Sequence, residues 1–278
     1  MLAALAVAEV ERINDKYSRY APTSFLSAIN RDAARGHSVK LDQETAALID
    51  YAFACYQKSD GLFDITAGVL RQAWNFTAVA LPEPQTVQRL LSLIGLDKVV
   101  WQPPHISFPV PGMEIDLGGI GKEYAVDRVA VLLQAEGVEH ALIDLGGDFF
   151  ALGPRADGND WAIGIRDPQH SVATIGQVLL SRGALTTSGD YARCIRIGGR
   201  RYSHILNPKT GWPASGLSSV TALASQCMVA GSMSTIAMLK EREGISWLAN
   251  TGQSHLWIDD EGKRGGNLAA TLKDQLKI

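Results

Sequence analysis

Near the middle of the chain, two opposite charges flank a glycine turn. Asp116 sits in an apolar-acidic run, Met113-Glu114-Ile115-Asp116-Leu117, and Lys122 opens the helical spacing that follows Gly118-Gly119-Ile120-Gly121. Glycines let backbone come close to a ligand, and the N–H groups at a helix start attract anions. The same glycines also suit an ordinary turn, and GGIG is not the GxGxxG dinucleotide pattern. A second candidate is LTTSGDY at 185–191, where Thr186, Thr187, Ser188 and Gly189 read as one turn. Hydroxyls and unpaired N–H groups in a turn suit a phosphate-like ligand, or simply make a polar turn. Trp74, Asn75 and Phe76 read either as core packing or as a wall on which a flat ring stacks. His204, in HILNPKTG, is a base near neutral pH or a structural hydrogen-bonder at a strand end.

These residues need elements to hold them. Apolar spacing predicts a helix over 1–17, a helix starting near Thr23 or Ser24 after Pro22, and another over 41–59. A further helix is expected over 82–94, followed by paired strands at 98–101 and 105–108. The central unit reads as a strand end at 113–117, a helix over 122–136 stopped by Gly137, and a strand at 140–145 leading to Gly146-Gly147-Asp148. Strands follow at 161–166 and 173–180. A hairpin turning at Gly198-Gly199 joins 193–197 to 201–205, and another strand lies at 219–224. A helix over 229–240 and a strand at 255–258 complete the pattern. Many strands joined by hairpins argue for an α+β fold with largely antiparallel sheets and flanking helices.

The 278 residues are 46% hydrophobic and 20% charged, which suits one domain, with two intimately packed lobes as a variant. A net charge of −3 without a basic block gives no support for nucleic-acid binding. Cys55, Cys194 and Cys227 are too scattered for a disulfide framework or a metal knuckle. No apolar run is long enough to span a membrane. Residues 1–10 are apolar but have no basic n-region or cleavage site, and read as the front of an amphipathic helix.

Taken in order, YSRYAPTSFLSAIN, FDITAGVL with AWNF, IDLGGIGKEYAVD, LIDLGGD, TTSGDY, HILNPKTGWP and AGSMSTIAML resemble the ApbE family of FAD:protein FMN transferases, over about residues 10–260. The resemblance implies an ApbE-like fold and a Mg²⁺-dependent enzyme. Such an enzyme cleaves FAD, attaches FMN through a phosphoester bond to a Thr or Ser of a target flavoprotein, and releases AMP. The targets it implies are subunits of membrane redox complexes. It places Tyr20, Trp74, Asn75, Phe76, Asp116 and Lys122 at FAD, with Thr187, Ser188 and Gly189 beside the diphosphate and Ile205 next to the base, His204. The Gly119 carbonyl and Thr235 would hold the metal. A hard oxygen-ligated cation suits pyrophosphate cleavage, and His suits activation of a hydroxyl.

Three departures matter. The family pattern has an aspartate where Gly231 stands in Ala230-Gly231-Ser232-Met233-Ser234-Thr235. Another acid then fills in, FAD phosphates hold most of the metal, or the protein is an FAD-binding accessory protein or an FAD pyrophosphatase. A carboxylate introduced at position 231 is expected to tighten the metal. Asn207 replaces the usual Asp before Pro208 and keeps a turn-forming side chain. The sequence starts inside the helix that follows the family's first strand and its Met-Gly-Thr-like element, so either the start is trimmed or misannotated or this is a variant without that strand. The resemblance points to the outer face of a bacterial inner membrane, although no export signal or lipobox is present.

Overall fold

The computed structural model describes every residue except 171, 172, 192, 270, 271 and 273–278. Among the described residues the order begins with α1 (Leu2–Tyr17), α2 (Phe25–Ala33), β1 (Val39–Lys40) and α3 (Gln43–Lys58). A 3-10 helix (Ile65–Gln72), α4 (Pro84–Leu91), β2 (Val100–Gln102), β3 (His105–Ser107) and α5 (Gly121–Ala135) follow. Then come β4 (Leu142–Leu145), β5 (Asp148–Ala151), β6 (Trp161–Arg166), β7 (Thr174–Leu180), β8 (Gly183–Gly189), β9 (Cys194–Ile197) and β10 (Arg200–Ser203). The last are β11 (Leu217–Ala224), α6 (Cys227–Leu239), α7 (Glu243–Thr251), β12 (His255–Asp259) and β13 (Arg264–Gly265). The fold is α+β with antiparallel pairing, as expected. No helix among the described residues is long and apolar enough to cross a membrane.

The chain divides into two compact units. The first comprises Met1–Glu11, Gly119–Ala192 and Ala214–Ile278. Its antiparallel sheet runs β13-β12-β11-β8-β5-β4. Helix α6 packs on β8 and β11, and α5 on β4 and β5. The β6–β7 hairpin contributes Ile163, Ile165, Val178 and Leu180 to a core with Ala151, Leu185 and Leu256 of the sheet. Period-2 alternation therefore separates neighbouring side chains of β8, with Leu185 in the hairpin core and Ser188 bonded to residues of α6.

The second unit comprises Arg12–Gly118 and Arg193–Pro213. It contains the sheet β1-β3-β2, the β9–β10 hairpin and helices α2 to α4. Ser24 and Asp42 cap α2 and α3 by accepting from Ser27 N and Thr45 N, which sets both starts close to where the sequence placed them. Val69, Leu70, Trp74, Leu90, Ile94 and Ile195 form a core cluster here.

Three local expectations are corrected. Residues 113–117 lie in no strand. Instead, the Asn30 side-chain amide brackets Ile115, accepting from its N at 2.8 Å and donating to its O at 2.9 Å. One polar side chain thus does the work of a ladder neighbour. The run Thr186 to Gly189 is strand, not turn. It pairs residue for residue with Ser219 to Ala222 of β11, so the ladder uses backbone groups that a phosphate-binding turn would present. Helix α7 was not anticipated at all.

Candidate functional site

Within the second unit, Asp116 is paired with Arg19, a residue overlooked in the sequence. Its Oδ1 also accepts from Gly118 N at 2.9 Å, holding the start of the glycine turn. Gly68 makes this possible, because a Cβ there would lie 2.5 Å from Asp116 Cβ. The Arg19 guanidinium lies over the Tyr20 ring, 4.9 Å from its centroid, and donates to its hydroxyl at 2.8 Å. Arg19 first, then Arg193, holds that phenol below its usual range against the effect of burial. Tyr20 is 70% exposed, so its ring is open to a ligand.

The Trp74-Asn75-Phe76 cluster separates into two roles. Trp74 is 3% exposed, stacks on Phe76 at 5.6 Å and meets Trp212 edge-on at 5.2 Å. Its Nε1 donates to Gly211 O at 2.8 Å. The core reading therefore holds for Trp74, and its expected role as a stacking wall does not. Phe76 is half-buried and Asn75 exposed, with Asn75 Oδ1 accepting from Thr77 N at 3.0 Å. A ligand meets these two side chains more readily than Trp74.

His204 is exposed just beyond β10, with Nδ1 3.1 Å from Arg193 O. A carbonyl only accepts, so Nδ1 carries the hydrogen and Nε2 is the basic nitrogen. Ile205 is half-buried, and its N is held by Ser203 Oγ at 2.9 Å. Asn207 Oδ1 accepts from Lys209 N at 2.9 Å, the turn-forming role expected of it.

Within the first unit, Lys122 Nζ lies 2.8 Å from Asp148 Oδ2. Burial works against the ammonium, but Asp148 outweighs it and the Lys122 pKa is raised. Asp148 begins β5, opposite Leu145 and after the positive-φ pair Gly146 and Gly147. Next to Lys122, Glu123 is only 8% exposed, and its Oε2 has no hydrogen-bond partner. Burial first, then the Asp148 charge, raises the Glu123 pKa; burial raises that of Asp148. Position 123 falls on the buried stripe of α5 with Val126, Ala130 and Leu133, so an acid within an apolar stripe was the overlooked signal.

Ser188 Oγ reaches Ser234 Oγ at 2.7 Å and Thr235 Oγ1 at 3.0 Å, linking β8 to α6. Thr187 turns away and pairs its hydroxyl with that of Thr221 at 2.9 Å. Of the expected trio, Ser188 alone joins Thr235. A Cβ on Gly189 would lie 2.4 Å from the Tyr191 ring, so that glycine makes room for an aromatic. Gly119 is half-buried in the turn preceding α5. Gly231 is buried, and its carbonyl accepts from Ser234 Oγ at 3.0 Å. The start of α6 is capped from another helix, by Asp127 accepting from Cys227 N at 2.7 Å and Met228 N at 2.9 Å.

The model of the ApbE family matches residues 2–257. A relative in Treponema pallidum named FAD:protein FMN transferase is 33% identical over 254 residues, 81% of this chain and 70% of its own. One of the same name in Vibrio cholerae is 30% identical over 244 residues, 85% of this chain and 73% of its own. The crystal structure of the ApbE protein of Thermotoga maritima superposes with a TM-score of 0.89 at 30% identity, covering 99% of this chain and 91% of that one.

Proposed function

Because this chain belongs to the ApbE family, we propose that it is a flavin transferase that cleaves FAD and esterifies a Thr or Ser of a flavoprotein with FMN. The hydroxyl oxygen of the acceptor attacks the FMN-side phosphorus. The anhydride P–O bond breaks, AMP leaves with the bonding pair, and the hydroxyl proton passes to His204 Nε2. The observation that carries this reading is the Nδ1 contact of His204 with Arg193 O, which fixes the tautomer needed in a base. Tyr20, Asn75 and Phe76 offer surface for the flavin ring, and Lys122 offers a cation for phosphate. The acceptor is taken to be a subunit of a membrane redox complex.

Mg²⁺ belongs to the same reading. Among the described residues no group of three or more His, Cys, Asp or Glu side chains could hold a metal. Mg²⁺ does not require one, since it typically takes one or two carboxylates and completes its shell with phosphates and water. Buried carboxyl oxygens at Glu123 and Asp148, with the hydroxyls of Ser188 and Thr235, form a donor set of the right hardness. Bound there, the ion would offset charge developing on the phosphates.

Incubation with FAD, Mg²⁺ and a flavoprotein acceptor tests the reading by in-gel flavin fluorescence. A fluorescent acceptor band is expected. Free FMN and AMP with a dark acceptor would make the protein a pyrophosphatase. FAD left intact but bound would make it an accessory flavin binder.

A further inference from the structure

Gly231 has a specific reason to lack a side chain. A Cβ built there would lie 2.5 Å from Glu123 Cγ, 3.1 Å from its Cδ and 3.0 Å from its Oε1. Cγ is not the mobile end of the side chain, so the contact could not be relieved by a small swing of the carboxyl. The Glu123 carboxyl thus occupies the space that the carboxyl of an aspartate at 231 would enter. One acid is missing from α6, and one acid from α5 stands in its place.

The surroundings of that carboxyl are not those of a structural acid. Glu123 is 8% exposed, yet Oε2 is left without a hydrogen-bond partner, which costs about 1–3 kcal/mol for a buried polar group, and more for a charged one. Its acidic neighbour Asp148 is 2% exposed and already engaged by Lys122. The two buried carboxyls share one ammonium, that of Lys122. Gly231 and Thr235 are four residues apart on α6 and so share a face, and the Thr235 hydroxyl meets Ser188. Oxygen donors from α5, β5, β8 and α6 are thereby assembled within one unit.

We infer that Glu123 is the metal-binding carboxylate of this chain, taking over from the aspartate absent at Gly231 and recruiting a hard divalent cation such as Mg²⁺ or Mn²⁺. The inference rests on the Mg²⁺ part of the proposed function. It overturns the expectation that a carboxylate added at 231 would tighten the metal. With Glu123 present, Gly231→Asp puts two side chains in one space. The exchange is reciprocal, so the double change Glu123→Gly with Gly231→Asp should restore what either change alone removes.

The test measures Mn²⁺ binding to the purified protein in the presence of FAD, by calorimetry and by the loss of free-ion electron paramagnetic resonance signal. It needs no turnover. Circular dichroism of each variant establishes that it is folded. The natural protein is expected to bind Mn²⁺. Glu123→Gln, which keeps the volume and removes the charge, is expected to bind at least about tenfold more weakly, as loss of metal-site residues commonly does. Glu123→Gly with Gly231→Asp is expected to regain most of that loss. Undiminished Mn²⁺ affinity in folded Glu123→Gln would overturn the role of Glu123 while leaving the metal reading intact. Absence of Mn²⁺ binding by the natural protein would overturn both. A Gly231→Asp variant that binds more tightly than the natural protein would show that the two side chains do not compete, and would also reject the exchange.

Discussion

Replacing Asp127 by Ala should destabilise the protein by about 2–4 kcal/mol, although Asp127 touches none of the residues assigned to flavin or metal. The carboxylate spans from α5 to the first two N–H groups of α6, at 2.7 Å and 2.9 Å. Loss of an N-cap acid commonly costs about 0.5–2 kcal/mol, and hydrogen bonds to charged groups run to about 1.5–3 kcal/mol each. Cys227 is fully buried, so its N–H would be stranded, whereas Met228 is half-buried and water can replace part of its bond. Desolvation of the acid itself, visible as a raised Asp127 pKa, offsets some of the gain in the natural protein. Together these place the net loss between the single-cap and the double-bond figures. At roughly 2–4 °C per kcal/mol for a chain of this size, thermal denaturation followed by circular dichroism should show a fall of about 4–16 °C. Asp127→Asn keeps one acceptor oxygen and should lose about half as much. An Ala variant melting within about 2 °C of the natural protein would refute the inter-helix cap.

Two further outcomes follow from the same geometry. Trp74→Ala should cost about 3–5 kcal/mol of stability, as large core truncations do, while Asn75→Ala should leave the denaturation midpoint nearly unchanged; equal effects in urea titrations would contradict the division of the Trp74-Asn75-Phe76 cluster. FAD should bind more tightly than FMN, and FMN more tightly than riboflavin, in calorimetric titrations, because Lys122 and the Ser188–Thr235 hydroxyls have phosphates to meet only in the longer ligands; equal affinities would remove those groups from the ligand site.

How much was legible in the sequence depended on whether the signal was local. Caps and positive-φ glycines are local, so Ser24, Gly137 and the Gly198-Gly199 hairpin marked their elements closely. The fold class followed from the same punctuation. Partners far apart in sequence were not legible. Nothing near Asp116 pointed to Arg19, and nothing near Lys122 pointed to Asp148. The threonine-rich run at 186–189 looked like a turn because hydroxyl residues favour turns. Its partner strand is equally rich in hydroxyls, and pairing of Thr187 with Thr221 outweighs that preference. Glu123 hid for the opposite reason, since a charged residue beside Lys122 reads as solvent-facing until its place in the stripe of α5 is counted. His204, Ser188 and Thr235 are singled out by resemblance. What surrounds each of them came only from the fold.

The central claim is that His204 serves as the base in FMN transfer to a protein hydroxyl. It is tested most directly by the intact mass of a flavoprotein acceptor after incubation with FAD, Mg²⁺ and either the natural protein or His204→Ala. The natural protein should raise the acceptor mass by one FMN less one water. His204→Ala should bind FAD as before but modify the acceptor about 10²- to 10⁴-fold more slowly, the usual contribution of a general base. Modification at the natural rate by His204→Ala would contradict the account.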